Sequence, residues 1–356
     1  MNKDMNDMND MNDMNKDLNE DQKQVSDKSS SLFPDEIMQT VMGFQKSRIL
    51  LTAFELELFT VLAGERLTSA EMAKRLGTDP RATDRLMNAL CAMRLLEKKK
   101  AEFVNTPAAQ KFLVKQSPDF LGGLYHSNHL WNTWSTLTQA VCKGKTVIER
   151  KMNERRDEWL TAFIAAMHYR ASRTAPMVIA KLDLTDIFRV IDVGGGSGAF
   201  AMAFVKAKKD INAVVFDLPN VIPLTRHYIE KEGLQGNVNV VGGDYHTDQL
   251  GSGYDLAFLS AVIHSNSGEQ NMALLAKCAK ALNPGGMVVI QDFMMNDERT
   301  EPVMGALFAL NMLVGTEAGD TYTDSEVNDW MRKAGFSDIT RIDSLGGNSL
   351  LIGKKK

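Results

Sequence analysis

Val190-Ile191-Asp192-Val193-Gly194-Gly195-Gly196-Ser197-Gly198 runs from buried-strand residues straight into glycines, and a helix should begin near Ala199. Glycine is needed where the backbone turns tightly and approaches a ligand with no Cβ in the way. A plain βα turn does not ask for glycine at 194, 196 and 198 with Asp192 just before it. The same pattern fits a dinucleotide site, with Ala199 at its last place, so this stretch alone does not choose the cofactor.

Outward from that loop, short β-branched runs alternate with helical segments, which implies βαβ units and a mostly parallel sheet. Strands are expected at 189–193, 211–216, 238–241, 254–260 and 287–291. A capping box from Thr323 to Glu326 opens a helix. The runs 336–342 and 349–352, separated by Gly346-Gly347, should form an antiparallel hairpin at one sheet edge. The class is α/β, with a Rossmann-like domain over 181–356.

The N-terminal half reads differently. Residues 1–33 repeat Met-Asn-Asp and bury too little to offset chain entropy, so they are expected to be a disordered tail. Residues 34–180 read as a helical, winged-helix-like dimerisation domain. From Pro34 to Ala63, Ile37, Val41, Phe44, Ile49, Leu50, Phe54, Leu58, Phe59 and Leu62 recur at helical steps. They cover more than one face, which suggests burial against a partner subunit as well. Thr68-Ser69-Ala70-Glu71 is a capping box with Leu67 as its staple, Gly77 stops that helix, and Asp79-Pro80 opens the next. Lys98-Lys99-Lys100 then lead into a short wing around Phe103-Val104.

The charge argues against nucleic acid. The formal net charge is −4, and residues 1–30 carry eight acidic and four basic residues, so the rest is close to neutral. Arg81, Arg85 and Arg94 on a winged helix keep a DNA-binding regulator as a distant alternative, but the chain lacks a basic bias. Cys91, Cys142 and Cys278 are odd in number and widely spaced, which suits reduced core thiols better than a disulfide or metal framework. No apolar run is long enough for a membrane span and no signal peptide is visible, so the cytoplasm is the expected location, with neither metal nor membrane partner.

Downstream carboxylates separate the cofactors. Asp217 ends the second strand, where it can accept both ribose hydroxyls. Asp244 can take an adenine amino group while Tyr245 covers the ring. A cationic sulfonium needs no phosphate cradle, and nearby carboxylates favour it. The hairpin-terminated sheet also departs from a dinucleotide fold. S-adenosyl-L-methionine is the cofactor these features favour.

The stretches 191–196, Phe216-Asp217-Leu218-Pro219, Gly243-Asp244, the strand leading to His264, and Leu282-Asn283-Pro284-Gly285-Gly286 resemble the small-molecule O-methyltransferases. These include plant caffeate-type enzymes, acetylserotonin methyltransferase and bacterial relatives. The resemblance spans roughly 35–354. It implies a homodimer, and places Asp192, Gly194, Gly196, Gly198, Asp217, Leu218, Asp244, Tyr245 and Ser260 at the cofactor.

Methyl transfer requires an aligned acceptor and removal of its proton, which a positioned histidine can take from a phenol. His264, read as ending the strand from Leu256, falls where the resembled family carries its base. Asp292, read as ending the next strand, falls where an acid orients that imidazole. Met167 and Met312 match residues against the acceptor ring, and Trp131 and Trp134 fall in the matching helix, although packing alone explains a methionine equally well. Two departures stand out. Ser265-Asn266-Ser267 replaces the Asp-Trp that follows the histidine in the plant enzymes, and Thr321 stands in place of a second acid. The acceptor is expected to be a small, aromatic hydroxyl compound, with C- or N-methylation or a non-methylating reaction as alternatives.

Overall fold

The computed structural model describes residues 33–148, 157–343 and 348–356. The expected tail, apart from Phe33, and the Gly346-Gly347 turn lie outside the described residues.

Helix α1 (Pro34–Glu55) has Pro34 in its first turn, where a missing N–H costs nothing. It is followed by α2 (Leu58–Val61), so the continuous pattern over 34–63 is in fact broken at Glu57, which is left-handed at φ 58°. Next come β1 (Leu67–Thr68), α3 (Ser69–Leu76) and α4 (Pro80–Ala92). Thr68 and Glu71 form the reciprocal capping box, Gly77 caps α3 at φ 65°, and Asp79 accepts from Ala82 N–H to start α4. Leu67 and Met72 are both buried, as the staple requires. The wing is β2 (Leu96–Lys99) and β3 (Glu102–Asn105), and the three strands order as β1-β3-β2. Helices α5 (Pro107–Phe112), α6 (Leu124–Trp134), α7 (Leu137–Lys143) and α8 (Asp157–Ile179) complete this half.

The C-terminal half alternates β4 (Arg189–Val193), α9 (Ala199–Ala207), β5 (Asn212–Asp217), α10 (Ile222–Lys231), β6 (Val238–Gly242), β7 (Tyr254–Ser260), α11 (Gly268–Ala281), β8 (Leu282–Met295), α12 (Val303–Gly315), β9 (Tyr322–Thr323), α13 (Asp324–Lys333), β10 (Phe336–Asp343) and β11 (Asn348–Lys355). The main sheet orders as β6-β5-β4-β7-β8-β11-β10. Strands β4 to β8 pair in parallel, and β11 inserts antiparallel between β8 and β10, giving the edge hairpin. Two apolar layers sandwich the sheet: Val193, Leu259, Leu275 and Ile290 on one face, and Phe200, Phe204, Val215 and Phe258 on the other. Parallel strands covered on both faces explain why these segments read as continuous apolar runs.

Strand β8 is longer than the five residues expected, because it pairs with β7 on one side, β11 on the other and β9 beyond its end. Of the cysteines, Cys278 is buried and Cys91 half-buried, but Cys142 is exposed on α7, so it is no core thiol. No helix among the described residues is long and apolar enough to cross a membrane, and none of their acidic, histidine or cysteine side chains group as a metal site.

Candidate active site

The glycine loop closes the carboxyl end of β4. Gly194, Gly196 and Gly198 all have left-handed φ, at 67°, 57° and 75°. The closest approach belongs to Gly195, which the motif reading passed over. A Cβ there would lie 2.7 Å from the Asp192 carboxylate and 2.9 Å from Val215. Asp192 is 1 % exposed and accepts the Ala201 N–H at 3.1 Å, so it braces the loop against the start of α9 from beneath. Its other oxygen is buried without a partner among the described residues. Burial, with the Asp217 charge adding to it, pushes the Asp192 carboxyl up to about 7.

Asp217, the last residue of β5, accepts Gly196 N–H and Leu218 N–H, each at 2.7 Å. Burial raises its carboxyl to about 6 in spite of these donors. Two neighbouring carboxylates that disfavour each other's charge, one with an oxygen still unpaired, suit a cationic ligand and repel a pyrophosphate. The loop at the end of β6 adds Asp244 and Tyr245. Asp244 spends one oxygen on His246 N–H at 2.8 Å, and the Tyr245 hydroxyl donates to Asn266 at 3.1 Å. Lys277 of α11 holds this loop by donating to the carbonyls of Tyr245, His246 and Asp248 at 2.7, 2.8 and 2.9 Å. These residues fit S-adenosyl-L-methionine.

His264 does not end β7. The strand stops at Ser260, whose hydroxyl donates to Gln291 at 3.1 Å, and Ala261 turns the chain at φ 58°. His264 then sits in a 3₁₀ turn, Ile263–Ser265. Asp292 likewise lies within β8 rather than at its end. The two still meet at the rim of the sheet: His264 Nδ1 lies 2.9 and 3.0 Å from the Asp292 oxygens. Their side chains are 12 % and 3 % exposed. A carboxylate only accepts, so Nδ1 carries the proton and Nε2 presents a lone pair. Thr321 is buried, its hydroxyl donating to Gly305 O at 3.3 Å.

The remaining candidate residues lie on α6, α8 and α12. Ring contacts set Phe308 of α12 edge-on to His264 at 4.8 Å. On the same helix Met312 is buried, and Asn311 accepts the indole N–H of Trp134 at 2.9 Å. Trp131, also on α6, lies 5.3 Å beneath the Arg48 guanidinium of α1. Met167 is half-buried on α8, one residue before His168. His168 Nδ1 meets Ser197 Oγ of the glycine loop at 2.9 Å, while its ring stacks on Tyr228 at 3.9 Å. Burial pushes its imidazole below the usual range. Asn311, Phe308 and Lys277 escaped the sequence reading because a single amide, ring or amine on a helix leaves no spacing signal. His168 was visible only as a histidine close to Met167.

An O-methyltransferase domain model matches residues 134–337, and an O-methyltransferase dimerisation domain model matches residues 38–115. The 3-hydroxy-5-methyl-1-naphthoate 3-O-methyltransferase of Streptomyces sahachiroi is 33% identical over 331 residues, covering 90% of this chain and 95% of that protein. The N,N-dimethyltransferase OxyT of Streptomyces rimosus is 32% identical over 333 residues, covering 90% and 96%. The solved structure of PigF with SAH superposes with a TM-score of 0.84 at 26% identity, covering 91% of this chain and 100% of that one. The chain belongs to the S-adenosylmethionine-dependent O-methyltransferase family, with that family's dimerisation domain preceding its catalytic domain.

Proposed function

We propose that this chain methylates a hydroxyl of a small aromatic molecule, with His264 as general base and Asp292 as the group that orients it. The observation carrying this reading is the His264–Asp292 contact, which fixes the proton on Nδ1 and leaves Nε2 as the acceptor of a phenolic proton. The bound cofactor supplies a methyl group already activated by the sulfonium. The chain's own residues bind, orient and take the proton. Asp217 accepts the ribose hydroxyls, Asp244 and Tyr245 hold the adenine, Leu218 and Ser260 border it, and Gly194, Gly196 and Gly198 keep the backbone close. Asp192 supports that loop. Phe308, Met312, Met167 and Trp134 form apolar walls for a flat acceptor, and soft thioether side chains adapt to such shapes. Asn311 adds one polar contact.

The naphthoate enzyme at 33% identity supports an aromatic hydroxyl acceptor. The N,N-dimethyltransferase at 32% identity favours an amine acceptor as the second reading. The product separates them: a labelled methyl donor should place its label on oxygen, and label on nitrogen would establish the other.

A homodimer fits the same reading. Met38, Val41, Met42 and Phe44 of α1 are 44–55 % exposed in a single chain, on the segment that the dimerisation model matches. The division into a helical half over 34–180 and a catalytic half over 181–356 follows the same logic, and a cytoplasmic location suits the absence of any spanning helix among the described residues.

A further inference from the structure

Where the plant enzymes carry Trp two places beyond the histidine, this chain has Asn266, and Asn266 is 1 % exposed. Its side chain is the middle of a chain of hydrogen bonds. The Tyr245 hydroxyl donates to Asn266 Oδ1 at 3.1 Å, Asn266 Nδ2 donates to Asn271 Oδ1 at 3.0 Å, and Asn271 Nδ2 donates to the Ile263 carbonyl at 2.9 Å. Asn271 is fully buried.

The direction of every bond follows from its end. A backbone carbonyl only accepts, so Asn271 must turn its NH2 toward Ile263 and its oxygen toward Asn266. Asn266 must then present NH2 to Asn271 and oxygen to Tyr245, whose hydroxyl is left to donate. Burial raises that phenol to about 12, which keeps its proton in place. The peptide that begins at the Ile263 carbonyl ends at the His264 nitrogen. The same carbonyl accepts Asn266 N–H at 3.3 Å, and the Tyr322 hydroxyl donates to Asn266 O. The turn bearing His264 is therefore held from the loop that carries Asp244 and Tyr245, through two amides with no other work in the site.

We propose that Tyr245, Asn266 and Asn271 form a positioning relay that aligns His264 with the cofactor loop, so that the loop and the base move as one unit. The proposal rests on the assignment of His264 as base and of Tyr245 to the cofactor loop. A fully satisfied buried network of this kind has one low-energy arrangement, and removing one member leaves the others with buried polar atoms unpaired.

Tyr245→Phe keeps the ring and removes only the donor, and Asn271→Asp keeps the shape but removes the donor to Ile263. Calorimetry with S-adenosylhomocysteine should give dissociation constants within about threefold of the parent for both, while kcat falls about ten- to a hundredfold. The double variant should lose less than the product of the single losses, because both cut one chain. A kcat that holds while affinity falls, or losses that multiply, would overturn the relay. The Nδ1 proton resonance of His264, assigned by its disappearance in His264→Ala, gives a readout that needs no acceptor. It should shift in both variants of the S-adenosylhomocysteine complex and stay in place in Ser265→Ala, whose side chain is exposed. An unmoved resonance would sink the relay even with His264 active as base. A parent enzyme that methylates nothing would count against the base assignment, while the resonance still decides the relay.

Discussion

The proposed base His264 depends on Asp292, because an imidazole free to rotate offers a nucleophile's proton either nitrogen or none. The carboxylate accepts at 2.9 and 3.0 Å, and its burial excludes competing water. Replacing His264 by Ala should lower kcat by about 10²–10⁴-fold with cofactor affinity nearly unchanged. Steady-state turnover and calorimetry on the same preparation check both halves of that statement. At Asp217 the expectation is a pH dependence. Its carboxyl stands near 6, above its ordinary value, and only the ionised form accepts both ribose hydroxyls with full strength. Cofactor binding therefore favours proton loss, so affinity should rise as pH increases through about 6 and level off above it. Isothermal titration between pH 5 and 8 tests the sign, and Asp217→Asn should flatten the curve while weakening binding throughout. Asp217 was legible in the sequence as the end of its strand, whereas His264 and Asp292 were singled out by the family resemblance and sit in a 3₁₀ turn and inside β8. What was not legible was Gly195's approach to Asp192, which depends on the exact backbone path of the loop, or the His168–Ser197 bond, which depends on how α8 packs against that loop 29 residues away.

At the level of elements, the site hangs on how segments begin and end. Strand β7 ends early because Ala261 adopts φ 58°, and that left-handed step turns the chain into the 3₁₀ turn that presents His264. The apolar run continues through Val262 and Ile263, so composition alone carried the expected strand too far. Both of those residues are buried, which satisfies the same hydrophobic pattern in a different backbone. Capping signals, by contrast, read true, because they are local: Thr68–Glu71 and Thr323–Glu326 each close their box. Ser267 and Gln270 form a third box at the start of α11, directly after the catalytic turn. Ser267→Ala should cost about 1 kcal/mol of stability, seen as a lower midpoint in urea. Gly195→Ala should be far more damaging to the cofactor. Its Cβ would meet Asp192 and Val215 at under 3 Å, so the loop must shift. The expected result is a loss of cofactor affinity measured by calorimetry, with the far-ultraviolet circular dichroism of the folded chain retained.

The whole molecule sets a helical half beside a sheet that carries the glycine loop and its aspartates. Helix α6 joins them, with Gly123 packed against Ala166 of α8 at its start and Trp134 bonded to Asn311 of α12 at its end. Arg48 links the same helix to α1 through Asn128 at 3.1 Å and the face of Trp131. Helix α1 thus touches the helix that carries Trp134. On α1, Met38, Val41, Met42 and Phe44 are exposed on the segment that the dimerisation model matches. Val41→Asp together with Phe44→Asp should shift sedimentation from dimer to monomer, and retention of the dimer would place the interface elsewhere. Periodicity over 34–63 pointed to helix, but the folded chain breaks it at Glu57 and leaves residues 34–47 exposed while Leu51, Ala53 and Phe54 pack into its own core.

The most direct measurement combines product and base. The purified enzyme is incubated with isotopically labelled S-adenosylmethionine and a 3-hydroxy-1-naphthoate-type phenol, and the product is read by mass spectrometry and NMR. The prediction is an aryl methyl ether bearing the label, formed at least about a hundredfold more slowly by His264→Ala. Label on carbon or nitrogen, or an unchanged rate in that variant, would contradict the account.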